Sequence, residues 1–98
     1  MAEPIRVLLV DDQSLVRSGF RMLIDSEDDM AVVGEASNGA EALEKLRTIE
    51  VDVALMDIRM PVMDGVETTR RIAASSLPTK VMILTTFDLD EYVYAALK

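Results

Sequence analysis

Asp11, Asp12 and Asp57 are the side chains of this sequence whose types and spacing point to shared chemistry. Asp11-Asp12 closes an apolar run that begins at Ile5, Asp57 closes a second that begins at Val51, and Thr85-Thr86 closes a third that begins at Lys80. If those runs are parallel strands of one sheet, their C-terminal ends lie along one edge, where open α/β folds bind their ligands. Three carboxylates gathered there repel one another, and each resists ionisation until a cation neutralises the group. Oxygen donors without imidazole or thiolate suit a hard dication, Mg2+ above all, that keeps several waters. Such an ion offsets the repulsion and takes up further negative charge from a substrate oxygen. The backbone carbonyl of Arg59, two residues past Asp57, can complete its shell, and a hydroxyl leaving the third run at Thr85 or Thr86 can donate to an anion carried by Asp57.

Plainer roles are open to the same residues. An Asp after a strand often forms a turn or caps a helix, which suits Asp12 taken alone. Asp57 is harder to explain that way, because it sets a charge at the mouth of an apolar run and needs compensation. Threonine favours strands, so Thr85 and Thr86 can serve packing. Phe87 fits either core or lid, Gly65 a close backbone turn, Pro61 a stiffened loop, and the Arg59 side chain faces solvent.

Composition narrows the classes. The 98 residues contain 18 acidic and 10 basic side chains, a net charge of −8, with no histidine or cysteine. Disulfides, thiolate or imidazole metal sites, and Ser–His or Cys–His catalysis are therefore excluded within the segment. The acidity opposes a non-specific nucleic-acid surface. No apolar stretch approaches the roughly 20 residues that cross a bilayer, and the start lacks a secretory leader's pattern, so a cytoplasmic protein is expected.

The elements that must position the carboxylates alternate regularly. Ile5 to Val10 reads as a strand covered on both faces. Val16, Phe20, Leu23 and Ile24 then form one side of an amphipathic helix, and a polar turn over residues 25–29 ends it. Met30 to Ala36 is a second strand, weakened by Gly34 and Glu35. Asn38-Gly39-Ala40-Glu41 has the form of a helix cap, opening a helix that buries Ala42, Leu43, Leu46 and Ile49. Val51 to Met56 is the third strand. Asp64-Gly65-Val66-Glu67 repeats the cap and starts a helix through Arg70, Ile72 and Ala73, which Ser75, Ser76 and Pro78 end. Lys80 to Thr85 is the fourth strand, and Asp88-Leu89-Asp90-Glu91 leads into a helix with Leu89, Val93, Ala96 and Leu97 on one face. Four strand–helix units imply right-handed crossovers and a doubly wound parallel sheet, an α/β fold.

With VLLVDD (Val7 to Asp12), LMDIRMPVMDG (Leu55 to Gly65) and ILTTF (Ile83 to Phe87) in this order at strand ends, the chain strongly resembles the receiver domains of two-component response regulators. The stretch from Leu15 to Leu43 and the TTFD turn resemble the subgroup followed by a helix-turn-helix DNA-binding domain of the LuxR or nitrate-response kind. The resemblance implies a flavodoxin-like, CheY-like fold with strand order 2-1-3-4. It also implies Asp57 as the acceptor of a phosphoryl group from a sensor histidine kinase. Asp11 and Asp12, with Asp12 the direct ligand, would hold Mg2+ together with Asp57 and the Arg59 carbonyl. Thr85 and Thr86 would sense the phosphoryl oxygens, and Phe87, Leu89, Tyr92 and Val93 would lie on the responding surface, although a helical apolar stripe is also explained by core packing.

Family receivers continue into a fifth strand, bearing a lysine that contacts the phosphoryl group, and a fifth helix. Neither Lys80 nor Lys98 matches that lysine. Residues 1–98 thus read as a partial receiver, with homodimerisation on activation and DNA contact through a C-terminal domain. An isolated segment of this kind is expected to be poorly stable, or to recruit a partner chain over its bare apolar surface, and to incorporate phosphoryl groups weakly. Two rivals stand beside this reading, a Mg2+-dependent phosphohydrolase with an Asp nucleophile and a non-phosphorylated interaction module. A nucleotide-binding domain is disfavoured because the first strand leads into Asp-Asp and not into a Gly-rich phosphate cradle.

Overall fold

The computed structural model describes residues 3–84 of the chain. Within them the order is β1 (Ile5–Val10), α1 (Ser14–Asp25), β2 (Met30–Ala36), α2 (Gly39–Leu46), β3 (Val53–Asp57), α3 (Gly65–Ala74) and β4 (Lys80–Leu84). Thr85, Thr86, Phe87, Leu89, Tyr92 and Val93 lie outside the described residues, as does the helix expected after Asp88.

The four strands form one sheet in the order β2-β1-β3-β4, and every pairing is parallel. β1 lies inside the sheet, and from Val7 to Val10 it is apolar and buried because both its faces are covered there. Leu8 and Val10 join one core with Ala42 and Leu46 of α2, Ala54 and Met56 of β3, and Ile72 of α3. Val7 and Leu9 turn the other way, toward Ile24 and Phe20 of α1. The doubly wound arrangement follows from this alternation: α1 covers one face, and α2 with α3 covers the other. Leu8 and Met56 have no exposed surface, and burying a side chain of that size contributes about 1.5–3 kcal/mol.

The caps form as the sequence indicates. Asn38 Oδ1 accepts from Glu41 N at 2.9 Å, and Asp64 Oδ1 accepts from Glu67 N at 2.8 Å. β2 accommodates Gly34 through a register shift between Val7 and Leu8 of β1 that leaves Val33 unpaired in the ladder.

Three boundaries and faces differ from the periodicity. Leu23 is 66% exposed, with Met22 and Leu15 also exposed, so only Val16, Phe20 and Ile24 of the expected stripe turn inward. The stripe is wider than the surface that β1 and β2 offer α1 within the described residues. α2 ends at Leu46, and Ile49 packs on the core from the turn that follows. Val51 is buried ahead of β3, which starts at Val53. Among the described residues, no helix is long and apolar enough to cross a membrane.

Candidate functional site

β1 delivers Asp11 and Asp12 immediately past its last residue, and β3 ends on Asp57 itself. Since β1 and β3 are adjacent, with Val10 opposite Met56, the three carboxylates share one corner of the sheet. Each offers a ligand oxygen, and these oxygens lie within 4.8 Å of one another. Asp11 is buried, Asp57 half-buried and Asp12 exposed. The cluster therefore opens outward through Asp12.

Turn formation falls to Asp11, not to Asp12 as the plainer reading of the sequence had it. Asp11 Oδ1 accepts the Gln13 N–H at 2.9 Å, an Asx turn that leads the chain into α1. Burial pushes the Asp11 carboxyl up from its ordinary range; the Gln13 N–H opposes this, the charges of Asp57 and Asp12 add to it, and Arg17 opposes it. Burial also raises Asp57, against the stabilising N–H groups of Ile58 and Arg59, and the charge of Asp12 raises it further. Both carboxylates are thus pushed toward the neutral form by desolvation and by neighbouring carboxylate charge, that of Asp57 and Asp12 on Asp11 and that of Asp12 on Asp57. An all-oxygen cluster in that condition is compatible with a divalent cation of the hard type.

Other residues frame the corner. Arg17 reaches from α1 to the Asp11 carbonyl and, through Nε at 3.0 Å, to Glu35 Oε1 at the end of β2. Beyond Asp57, the Gly65 N–H donates to the Ile58 carbonyl at 2.8 Å, folding the 58–64 loop back on itself. The Arg59 side chain is exposed, as expected. Sequence reasoning passed over Arg17, whose signal was a basic residue one helical turn past the acidic pair.

A separate cavity of about 420 Å³ opens at the opposite end of the sheet, lined by Arg6, Glu50, Asp52 and Thr79 among others. Arg6 there is committed to Asp52 and Glu50.

Comparison with known proteins agrees with this geometry. Residues 7–98 match the family model of the response regulator receiver domain. The chain is 44% identical over 96 residues to the transcriptional regulatory protein YxjL of Bacillus subtilis, covering 98% of this chain and 44% of that protein. It thus spans less than half the length of the curated relatives it matches. The signal receiver domain of a NarL response regulator from Mycobacterium tuberculosis superposes with a TM-score of 0.84 at 40% identity, over 98% of this chain and 77% of that one. The CheX–CheY–BeF3–Mg2+ complex of Borrelia burgdorferi matches with a TM-score of 0.76 at 26% identity, over 85% of this chain and 63% of that one. Sheet order, acidic corner and relatives converge: the chain belongs to the response regulator receiver domain family, the signalling modules of two-component systems, and resembles the LuxR/NarL-type members.

Proposed function

We propose that Asp57 accepts a phosphoryl group from a histidine kinase in a Mg2+-dependent reaction, and that the aspartyl phosphate switches an attached DNA-binding domain. The observation that carries this reading is the convergence of Asp11, Asp12 and Asp57 within 4.8 Å at the ends of β1 and β3. The donor set is all oxygen and acidic, which fits the ion, and Asp11, Asp12, Asp57 and the Arg59 carbonyl would hold it. When bound, Mg2+ supplies charge neutralisation between an anionic nucleophile and an anionic donor.

The Asp57 carboxylate attacks phosphorus, a P–O bond forms, and the P–N bond to the donor imidazole breaks. Asp57 is ionised and gives up no proton, while the leaving imidazole nitrogen takes one from solvent. The N–H groups of Ile58 and Arg59 favour the ionised form of the Asp57 carboxylate, the form that attacks. Thr85 and Thr86 are assigned to sensing the phosphoryl oxygens, and Phe87, Leu89, Tyr92 and Val93 to the responding surface. The bound Mg2+ and BeF3 named for the Borrelia burgdorferi complex support the chemistry. The coverage of less than half of a transcriptional regulatory protein supports a further output domain. Homodimerisation on activation and a cytoplasmic location complete the reading.

The test is incubation with acetyl phosphate, with and without Mg2+, followed by mass spectrometric location of the phosphoryl group. It is expected on Asp57 alone and only with the cation. Undiminished incorporation in Asp57→Asn would overturn the proposal.

A further inference from the structure

The loop after Asp57 contains a strained residue that the phosphoacceptor reading does not use. Val62 has φ 69°, in the left-handed region, and the Met63 N–H closes a tight turn on the Pro61 carbonyl at 2.7 Å. A β-branched residue at positive φ is a clear outlier. Strain of this kind persists only where the surroundings over-determine the backbone. Val62 is 83% exposed, so burial of its own side chain does not hold it there.

The restraint comes from the next residue. The Met63 carbonyl accepts the N–H of Gly39, the first residue of α2, at 3.0 Å. Gly39 is buried, and nothing larger fits: a Cβ would stand 1.8 Å from Thr68 Oγ1 and 2.8 Å from the Met63 carbonyl oxygen. Thr68 cannot easily yield, being fully buried with its hydroxyl donating to the Asp64 carbonyl at 2.7 Å. The other end of the loop is tied by Gly65 N–H on the Ile58 carbonyl. The segment that carries Arg59 is thus held at both ends, once from within and once from α2.

We infer that Gly39 is a positioning residue, whose N–H on the Met63 carbonyl holds the strained 58–64 loop so that the Arg59 carbonyl is presented to a cation on Asp11, Asp12 and Asp57. The inference rests on the cation-dependent reading above. α2 makes no contribution to the acidic cluster itself, so its influence runs through the loop. A Cβ at position 39 pushes the Met63 carbonyl away and releases Val62 to relax.

The experiment uses the full 98-residue chain and two readouts, Mg2+ affinity by calorimetry and amide hydrogen exchange over residues 58–64 without cation. The variants are Gly39→Ala, Gly39→Ala with Thr68→Ala, and Gly34→Ala. The double variant removes the 1.8 Å clash in case the single one does not fold, but retains the push on Met63. Gly34 lies in β2, where a Cβ would meet Leu8 Cδ1 at 3.1 Å, so Gly34→Ala perturbs the core without touching the loop.

Both Gly39 variants are expected to weaken Mg2+ binding on the order of tenfold, as loss of a supporting contact behind a metal ligand does. They are also expected to speed loop exchange without cation, while Gly34→Ala lowers the melting temperature with affinity unchanged. A double variant that folds with native affinity and native loop exchange overturns the inference. So does an equal loss of affinity in Gly34→Ala. If the unaltered chain binds no Mg2+, the proposed function fails, and loop exchange alone decides for or against the Gly39 clamp.

Discussion

The guanidinium of Arg17 donates to the backbone carbonyl of Asp11 and at the same time pairs with the carboxylate of Glu35. One side chain therefore ties the end of β1, the first turns of α1 and the end of β2 at the base of the acidic corner. Its own side chain is only 18% exposed. Arg17→Met keeps the stem and removes the fork, and is expected to cost about 1.5–3 kcal/mol of stability, the range for charge-assisted hydrogen bonds. Arg70→Met, which breaks the exposed pair with Glu67, should cost no more than about 1 kcal/mol. Denaturant melts of the two variants check the ranking; equal losses would show that Arg17 is an ordinary surface pair.

Gly65 stands against the residue it follows in space. A Cβ there would come 2.3 Å from the Asp57 carbonyl oxygen and 3.0 Å from Ile58 Cα. Backbone cannot swing aside as a side-chain tip can, so Gly65→Ala must displace the end of β3. The expected destabilisation is about 1–3 kcal/mol, as for overpacking, and Mg2+ affinity should fall with it. A chemical-shift map by NMR should place the largest changes at Asp57 and Ile58; changes confined to α3 would contradict this.

The acidic corner makes stability depend on pH and on cation. Asp57 and Asp11 have their folded-state pKa raised, chiefly by burial. Their contribution is therefore fully present below the unfolded value and is lost as pH rises through the folded value. At neutral pH both oppose folding. Asp52 beside Arg6 and Glu41 beside Ser37 are lowered, so their contribution is present at neutral pH and is lost on acidification through the folded values. Asp57→Asn should accordingly raise the melting temperature at pH 7 without divalent cation, and the gain should shrink as pH falls into the carboxylate range. Mg2+ at a hundredfold excess over its Kd should stabilise the unaltered chain by about 2.7 kcal/mol and the variant by clearly less. Calorimetric melts at several pH values, with and without Mg2+, read all of these quantities.

Val62 offers a stabilising substitution. Asn tolerates positive φ far better than a β-branched residue, and the exposed Val62 side chain gives up little burial. Val62→Asn is expected to gain about 1 kcal/mol, within the cost usually carried by such strained residues. Unfolding in urea measures it. A loss of stability would indicate that the valine side chain is held by a contact of its own.

The sequence alone determined the alternation of strands and helices, the caps at Asn38 and Asp64, and the three carboxylates that converge. These are local signals: apolar runs, a polar oxygen three residues before an N–H, and charges at the ends of runs. It also carried the likeness to receivers, since the motifs stand at strand ends in a fixed order. The face of α1 was legible only in part. Periodicity defines an apolar stripe, but how much of it is covered depends on the surface that neighbouring elements offer, and Leu23 lies beyond the edge that β1 and β2 cover.

Tertiary structure alone decided which Asp forms the turn, where Arg17 reaches, and that Gly39 meets Thr68 and Met63. Asn38-Gly39 looked like a cap and nothing more, because the residues that crowd Gly39 lie 24 and 29 positions further along the chain. The 98 residues name the acidic side chains of the corner, whereas its geometry comes from the adjacency of β1 and β3 and the packing of α2 against the loop after Asp57. Short-range sequence patterns carry no information about contacts made across so many residues, which only the folded backbone brings within hydrogen-bonding distance.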